Sequence, residues 1–209
     1  MLYTPNRYIY PPRPENVIPS TSIELFDTSE FLGQAKFNGS CSIIHGNKKK
    51  NTMQTYNRHN QIMSNFKVSK DEIFSMIPND NWFVFVAEYM NKGKKDENNK
   101  NWNNRIALHD FLVYDNEYII GSTFDDRQNL MDKIIKSEEL NMYATKVSDN
   151  IYRIKNFYKD FFKIWTELIK IDMIEGLVLK KRDLKLEAGW KEKNNLSIKC
   201  RKISKNYNF

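Results

Sequence analysis

Cysteine is scarce in this chain: Cys41 and Cys200 stand far apart and never in a CxxC spacing. Neither a disulfide framework nor a zinc site is therefore indicated. His45, His59 and His109 are equally scattered. Any metal must be held by carboxylates and phosphate oxygens, which points to magnesium. Long hydrophobic runs are absent too. The longest, Trp82 to Ala87, falls far short of the roughly 18 to 20 residues of a membrane span, and the Met-Leu-Tyr-Thr-Pro start has no signal-peptide core. A soluble, cytoplasmic or otherwise intracellular protein with no membrane association is expected. Proline is nearly missing beyond the opening stretch, since of six prolines only Pro78 lies past Pro19. Residues 1–20 accordingly read as an extended proline-rich arm, neither helix nor strand. No internal repeat is present.

What remains is enough for one domain. The 209 residues are 40% hydrophobic, which allows a core of ordinary size, and residues 1–209 are expected to form a single unit that acts as a monomer. Charge is uneven. From Lys180 to Lys205 there are ten Lys or Arg against three acids, a local excess equal to the +7 of the whole chain. Such a segment is the electrostatic footprint of a polyanion, although a lysine-rich solvated surface has the same composition.

Hydrophobic patterning predicts a short helix opening at Thr21–Glu24, where S/T-x-x-E spacing suggests a capping box, and another at Ser69–Glu72. Thr123 precedes Asp126 and a helix over 129–136, and Phe157, Phe161, Ile164, Trp165 and Leu168 share a helical face that reads as core. Strands are expected over 36–45, 53–57, 82–90, 105–114, 117–121, 174–180 and 196–202, with Asp115-Asn116 as a hairpin turn. The Asn- and Lys-rich stretch 91–104 reads as a mobile surface loop. The fold class predicted is α+β, with mixed or antiparallel sheets and a cleft between them that could hold a nucleotide.

Several short elements then occur in a fixed order: Gln34-Ala35-Lys36-Phe37-Asn38-Gly39, Asn57-Arg58, Ala87-Glu88, Leu108-His109-Asp110, Glu175-Gly176-Leu177-Val178-Leu179-Lys180 and Ile198-Lys199-Cys200-Arg201. A lone K-x-N-G is a weak signal; the ordered set, spanning Gln34 to about Lys205, is a strong one. It resembles the covalent nucleotidyltransferase superfamily of ATP-dependent DNA ligases, RNA ligases and mRNA capping enzymes. The resemblance implies an ATP-grasp-like ligase adenylation domain that uses ATP and Mg2+ and acts on nucleic acid ends or nicks.

It also implies roles. Lys36 would attack the α-phosphate of ATP, with Lys199 and Arg201 as catalytic cations. A lysine of pKa about 10.4 is almost wholly protonated at neutral pH, so desolvation and neighbouring cations are expected to make its amine available. Gln34, Ala35, Arg58, Glu88, His109 and Glu175 complete the ATP site, Glu88 at the ribose and Glu175 at phosphate or metal. Nucleic acid is expected to meet Arg58, Lys180, Lys181, Arg182, Lys191, Lys193 and Lys202.

Two positions depart from the superfamily pattern. An aromatic usually stacks on adenine where His109 stands; Phe111 or Tyr114 takes that place if the register differs. Asn38 replaces the Asp of DNA ligases, and with the Ile-Lys-Cys-Arg ending it resembles RNA ligases. An RNA ligase is the expected function, ahead of a DNA nick ligase, a capping guanylyltransferase or an inactive binding module. No C-terminal OB domain is expected, and an accessory protein could supply nucleic-acid grip.

Overall fold

The computed structural model describes residues 1–5, 9, 11–188 and 197–203. Lys191, Lys193 and Lys205, all counted in the basic segment, lie outside the described residues. Strands β1 (Asn16–Val17), β2 (Phe31–Phe37), β3 (Ser40–Asn47), β4 (Thr52–Tyr56), β5 (Trp82–Met90), β6 (Arg105–Tyr114), β7 (Glu117–Tyr118), β8 (Glu138–Glu139), β9 (Ala144–Lys146), β10 (Ile151–Ile154), β11 (Asn156–Phe157), β12 (Ile174–Lys181) and β13 (Ser197–Arg201) carry most of the fold. Helices α1 (Lys70–Ser75), α2 (Phe124–Ile134) and α3 (Phe161–Leu168) and a 3-10 helix at Ser20–Phe26 complete it.

The strands form two mixed sheets. One runs β1-β13-β12-β2-β11; the other runs β4-β3-β5-β6-β10-β9-β8, with β7 paired to β6. Alternation decides which side chains meet. On β5, Phe83, Phe85, Ala87 and Tyr89 enter one buried cluster with Ile44, Leu108 and Phe111, while Val84 and Val86 join Tyr3, Ile9 and Ile43 on the other face. On the smaller sheet, Ala35, Phe37, Leu177, Leu179, Ile198 and Cys200 pack with Phe161 and Leu168 of α3. That leaves the opposite face of these strands turned toward the larger sheet.

Local chemistry sets the ends of the elements. Asp115 and Asn116 take φ of 53° and 69° in the β6–β7 hairpin, the paired positive values a tight two-residue turn needs. Ser69 caps α1 by accepting from the Glu72 N–H, and Thr123 and Asp126 form a reciprocal capping box on α2. The box expected at Thr21–Glu24 does not form. The helix there starts at Ser20 with Pro19 at its cap, so Thr21 already lies inside the first turn, where its hydroxyl cannot cap.

Other expectations need correction or refinement. The strand expected over 36–45 is two strands joined at Asn38-Gly39, and the first begins at Phe31. Residues 91–104 form the surface loop expected, pinned at two points: Trp102 is 2% exposed and stacks on Phe37, and Asp172 accepts from Lys94 Nζ at 2.9 Å and from the Lys95 N–H at 3.2 Å. One buried indole outweighs the polar composition of the segment. The arm, finally, contains a strand. β1 pairs in parallel with β13, Asn16 opposite Ile198 and Val17 opposite Lys199.

Candidate active site

Register across the smaller sheet assembles one wall of a cleft. Gln34, Val178 and Lys199 lie side by side, as do Lys36, Gly176 and Arg201. Because strand side chains alternate, Gln34 and Lys36, Val178 and Lys180, and Lys199 and Arg201 all emerge on the face away from the core. The facing wall comes from the larger sheet, with Cys41 of β3, Val86 and Glu88 of β5 and His109 of β6; Arg58 follows β4 in a turn. Pro11 to Glu15 of the arm close a third side. These walls enclose a cavity of about 290 Å³, near the lower end of small-molecule sites.

Two of its residues are aimed by β-bulges. Between Ile174 and Gly176, β12 advances two residues while β2 advances one, so Glu175 is the extra residue and turns toward Lys36 instead of the core. Gly176 has φ of 151°, and a Cβ there would collide with the Cys200 carbonyl oxygen, so only glycine fits. On β6, Leu108 and Asp110 face the consecutive residues Ala87 and Val86 of β5. His109 is the extra residue of that second bulge.

Cations of the cavity gather around the Glu175 carboxylate. The Lys36 amine pairs with Glu175 Oε1, and Arg201 Nε lies 3.7 Å from the same oxygen. Burial, then the charges of Arg201 and Lys36, push the Lys199 amine below its usual value. Its Nζ donates to the Pro14 carbonyl at 3.1 Å. Burial raises Glu88, with Glu175 adding to the rise against the pull of Lys36, and its Oε1 accepts from the Gly39 N–H at 3.0 Å. Burial and the nearby Lys180 charge lower His109 to about 3, so its ring is neutral at physiological pH.

At the closed end lies an amide network. Gln34, 2% exposed, donates through Nε2 to Asn156 Oδ1 at 2.8 Å and Gln128 Oε1 at 3.4 Å, and Gln128 Nε2 donates to the His109 carbonyl at 3.1 Å. Below it Arg127 grips Asp110 with Nε at 2.7 Å and Nη2 at 3.2 Å, while Nη1 donates to the Ser122 and Leu184 carbonyls. Sequence reading did not single out Gln128, Asn156 or Arg127. A signal for two of them was present: Phe124, Arg127, Gln128 and Met131 recur at the i, i+3, i+4, i+7 spacing of a buried stripe, and all four are buried. A charge at such a position demands a buried partner.

Of the residues picked from the sequence, Gln34, Ala35, Lys36, Arg58, Glu88, His109, Lys180, Lys199 and Arg201 line this cavity, and Glu175 reaches it through Lys36. Phe111 and Tyr114 do not; they pack in the core behind the larger sheet. Three of the basic residues expected at nucleic acid make contacts within the chain. Lys181 lies 3.8 Å from Glu30 and 3.7 Å from Asp183, Arg182 pairs with Asp125 at 2.6 Å, and Lys202 Nζ donates to carbonyls after α3, including Ile171 at 2.9 Å. Lys180 is 4% exposed and sits over the Phe124 ring at 4.2 Å. Among the described residues no group of three or more His, Cys, Asp or Glu is placed to hold a metal, and none of the helices is long and apolar enough to cross a membrane.

Neither a family model nor a curated protein matches this sequence. Solved structures do match. Mycobacterial DNA ligase D complexed with ATP and MES superposes with a TM-score of 0.62 at 12% identity, over 89% of this chain and 59% of that one. The ligase domain of the M. tuberculosis enzyme gives 0.59 at 13%, over 90% and 58%. Chlorella virus DNA ligase-adenylate gives 0.52 at 14%, over 91% and 68%. The chain thus spans under two thirds of the two mycobacterial structures. Its structural neighbours are ATP-dependent DNA ligase domains, and the mixed two-sheet fold of this chain is the fold of those domains.

Proposed function

We propose that this protein is an ATP-dependent polynucleotide ligase that forms a lysyl-AMP intermediate on Lys36. The observation that carries the proposal is convergence: residues scattered from position 34 to position 201 come together around one cavity, with an amine at its centre and cations on the neighbouring strands. A triphosphate is the ligand such a charge pattern suits.

In the first step the Lys36 nitrogen attacks the α-phosphorus, the bond to the β-phosphate oxygen breaks, pyrophosphate leaves with the electron pair, and the amine gives up a proton. In the second, a 5'-phosphate oxygen attacks the same phosphorus and the phosphorus–nitrogen bond breaks. Lysine departs and takes up a proton, leaving an adenylylated 5' end. A 3'-hydroxyl then displaces AMP and the ends are joined. Lys199 and Arg201 would balance charge building on the α-phosphate oxygens, and the neutral His109 ring would lie against the base. Magnesium, held by Glu175 together with phosphate oxygens, would assist departure of pyrophosphate; one or two carboxylates plus phosphate is its usual setting.

For the substrate we favour RNA ends, because Asn38 and the Ile198–Arg201 ending resemble RNA ligases. DNA nick sealing is the second reading, favoured by the DNA ligase names of the structural neighbours. The deciding experiment for the chemistry is incubation with ATP labelled at the α-phosphate and with magnesium. Label should attach covalently to the wild-type protein and be absent from Lys36→Ala. Undiminished labelling of that variant would falsify the assignment, and preference for GTP would turn it toward capping.

A further inference from the structure

The arm crosses from one sheet to the other. Near its start, the Tyr3 N–H donates to Asn116 at the β6–β7 turn at 2.7 Å, and Tyr118 donates to the Thr4 carbonyl at 3.1 Å. At its far end β1 pairs with β13 and the Ile18 N–H donates to the Lys199 carbonyl at 3.1 Å. Between these anchors Pro11, Pro12 and Pro14 limit backbone freedom and hold Arg13 over the cavity. Its charge is felt both at Lys199 on the smaller sheet and at Cys41 on the larger. The Arg13 side chain is 47% exposed, against 19% for Lys36, so the guanidinium stands at the mouth and the nucleophilic amine further in. Glu15 lies 3.4 Å from it and is itself 46% exposed, and an exposed pair of that kind is weak.

We infer that Arg13 is a phosphate-binding residue that serves two successive ligands, the pyrophosphate portion of ATP and then the 5'-phosphate of the nucleic acid. The inference rests on the ligase reading above and adds a residue and a site to it. In-line displacement at phosphorus places the entering and leaving groups on opposite sides. Pyrophosphate therefore leaves opposite the Lys36 nitrogen in the first step, and the attacking 5'-phosphate enters opposite the same nitrogen in the second. Both occupy the outward side of the α-phosphate. With Lys36 further in and Arg13 at the mouth, the arm places a bidentate-capable cation on that side.

The test uses the full chain with Arg13→Ala and Arg13→Lys. Wild-type labelling by ATP is read first: its absence sinks the ligase reading, and this inference with it. Given labelling, Arg13→Ala should raise the KM for ATP in adenylylation and slow AMP transfer from pre-adenylylated enzyme to a 5'-phosphorylated strand, each on the order of 10- to 100-fold. AMP as a competitor should bind wild type and variant alike, because it lacks the outer phosphates. Arg13→Lys should recover part of both losses. Wild-type rates in both steps, a defect confined to one step, or equal weakening toward AMP would overturn the shared site and leave the ligase reading standing.

Discussion

Glu175 reaches Lys36 only because β12 is bulged where it passes β2. In an unbroken strand, residue 175 would share the core-facing side of Leu177 and Leu179, and no carboxylate would stand beside the amine. The pairing of Glu175 with Lys36 therefore depends on a backbone irregularity, and the irregularity depends on a glycine.

Gly176→Ala tests that dependence. The added methyl meets the Cys200 carbonyl and the backbone of Arg201 at a φ of 151°, so β12 and β13 must part, and strain of about 1–3 kcal/mol is expected. Thermal unfolding should report the lower stability. Adenylylation should fall further than the destabilisation explains, because Glu175 and Arg201 both lose their aim. A variant as stable and as active as wild type would mean that the bulge is dispensable.

Glu175→Gln separates charge from shape. The amide keeps the size of the side chain but removes the counter-charge shared by Lys36 and Arg201, and adenylylation should drop by about 100-fold or more in single-turnover labelling. Stability should change little, since Glu175 is still 18% exposed. Retention of the wild-type rate would show that the carboxylate is only a resting partner of the amine.

Arg127 and Asp110 make the most deeply buried ion pair described, at 0% and 1% side-chain exposure. Burial alone would raise Asp110, yet Arg127 and Lys180 outweigh it and the carboxyl sits below its usual value. A depressed carboxylate gives stability that is present above its unfolded pKa of about 3.9 and is lost as pH falls through the lower folded value. Arg127→Met should therefore cost about 3–5 kcal/mol in urea unfolding at neutral pH, the usual consequence of leaving a buried charge unmatched. Pairing it with Asp110→Asn should restore part of that loss and remove this pair's share of the acid sensitivity. If Arg127→Met is as stable as wild type, the pair does not hold α2 against β6.

How much of this could be read beforehand follows from the kind of signal each residue leaves. Strands 82–90 and 105–114 are expected at the boundaries they have, because runs of β-branched and aromatic residues bounded by Asn- and Asp-rich turns mark buried strands. β10 left no such mark: Ile151 to Ile154 is buried throughout and only four residues long. Lys36, Glu88, Lys199 and Arg201, which line the cavity, stand out in the sequence because their neighbours form short ordered elements. Arg13 reaches the cavity, and Asn156 reaches the Gln34 side chain that lines it, by tertiary docking of an irregular arm and a two-residue strand, which local sequence does not encode. The bulges are likewise set by the pairing of two strands, so the aim of Glu175 and His109 had to come from register.

His109 lines the cavity, whereas Phe111 and Tyr114 are packed in the core, so under the proposed function the base would stack on an imidazole. Its pKa of about 3 keeps the ring neutral across the physiological range; no activity change between about pH 5.5 and 8 should trace to it. His109→Ala should raise the KM for ATP about 10-fold, while His109→Phe should match or improve on wild type, because the ring face carries the contact. Should Phe fail as badly as Ala, the histidine is acting through its nitrogens.

The last expectation concerns which ends are joined. Asn38 stands at the β2–β3 turn two residues past Lys36, with its Oδ1 3.2 Å from Lys92 Nζ. It offers an amide where DNA ligases carry a carboxylate. An amide both donates and accepts, and so can engage a 2'-hydroxyl, which is itself a donor and an acceptor and is absent from DNA. A strand ending in an RNA 3'-hydroxyl should therefore be joined faster than an all-DNA nick, and Asn38→Asp should narrow the difference. The panel to measure is single-stranded RNA, nicked RNA duplex, nicked DNA duplex and the hybrids, each with a matched 5'-phosphate. One fixed salt concentration is required, because phosphate contacts make apparent specificity depend on salt. Faster sealing of the all-DNA nick, unchanged by Asn38→Asp, would assign the protein to DNA while leaving the chemistry at Lys36 intact.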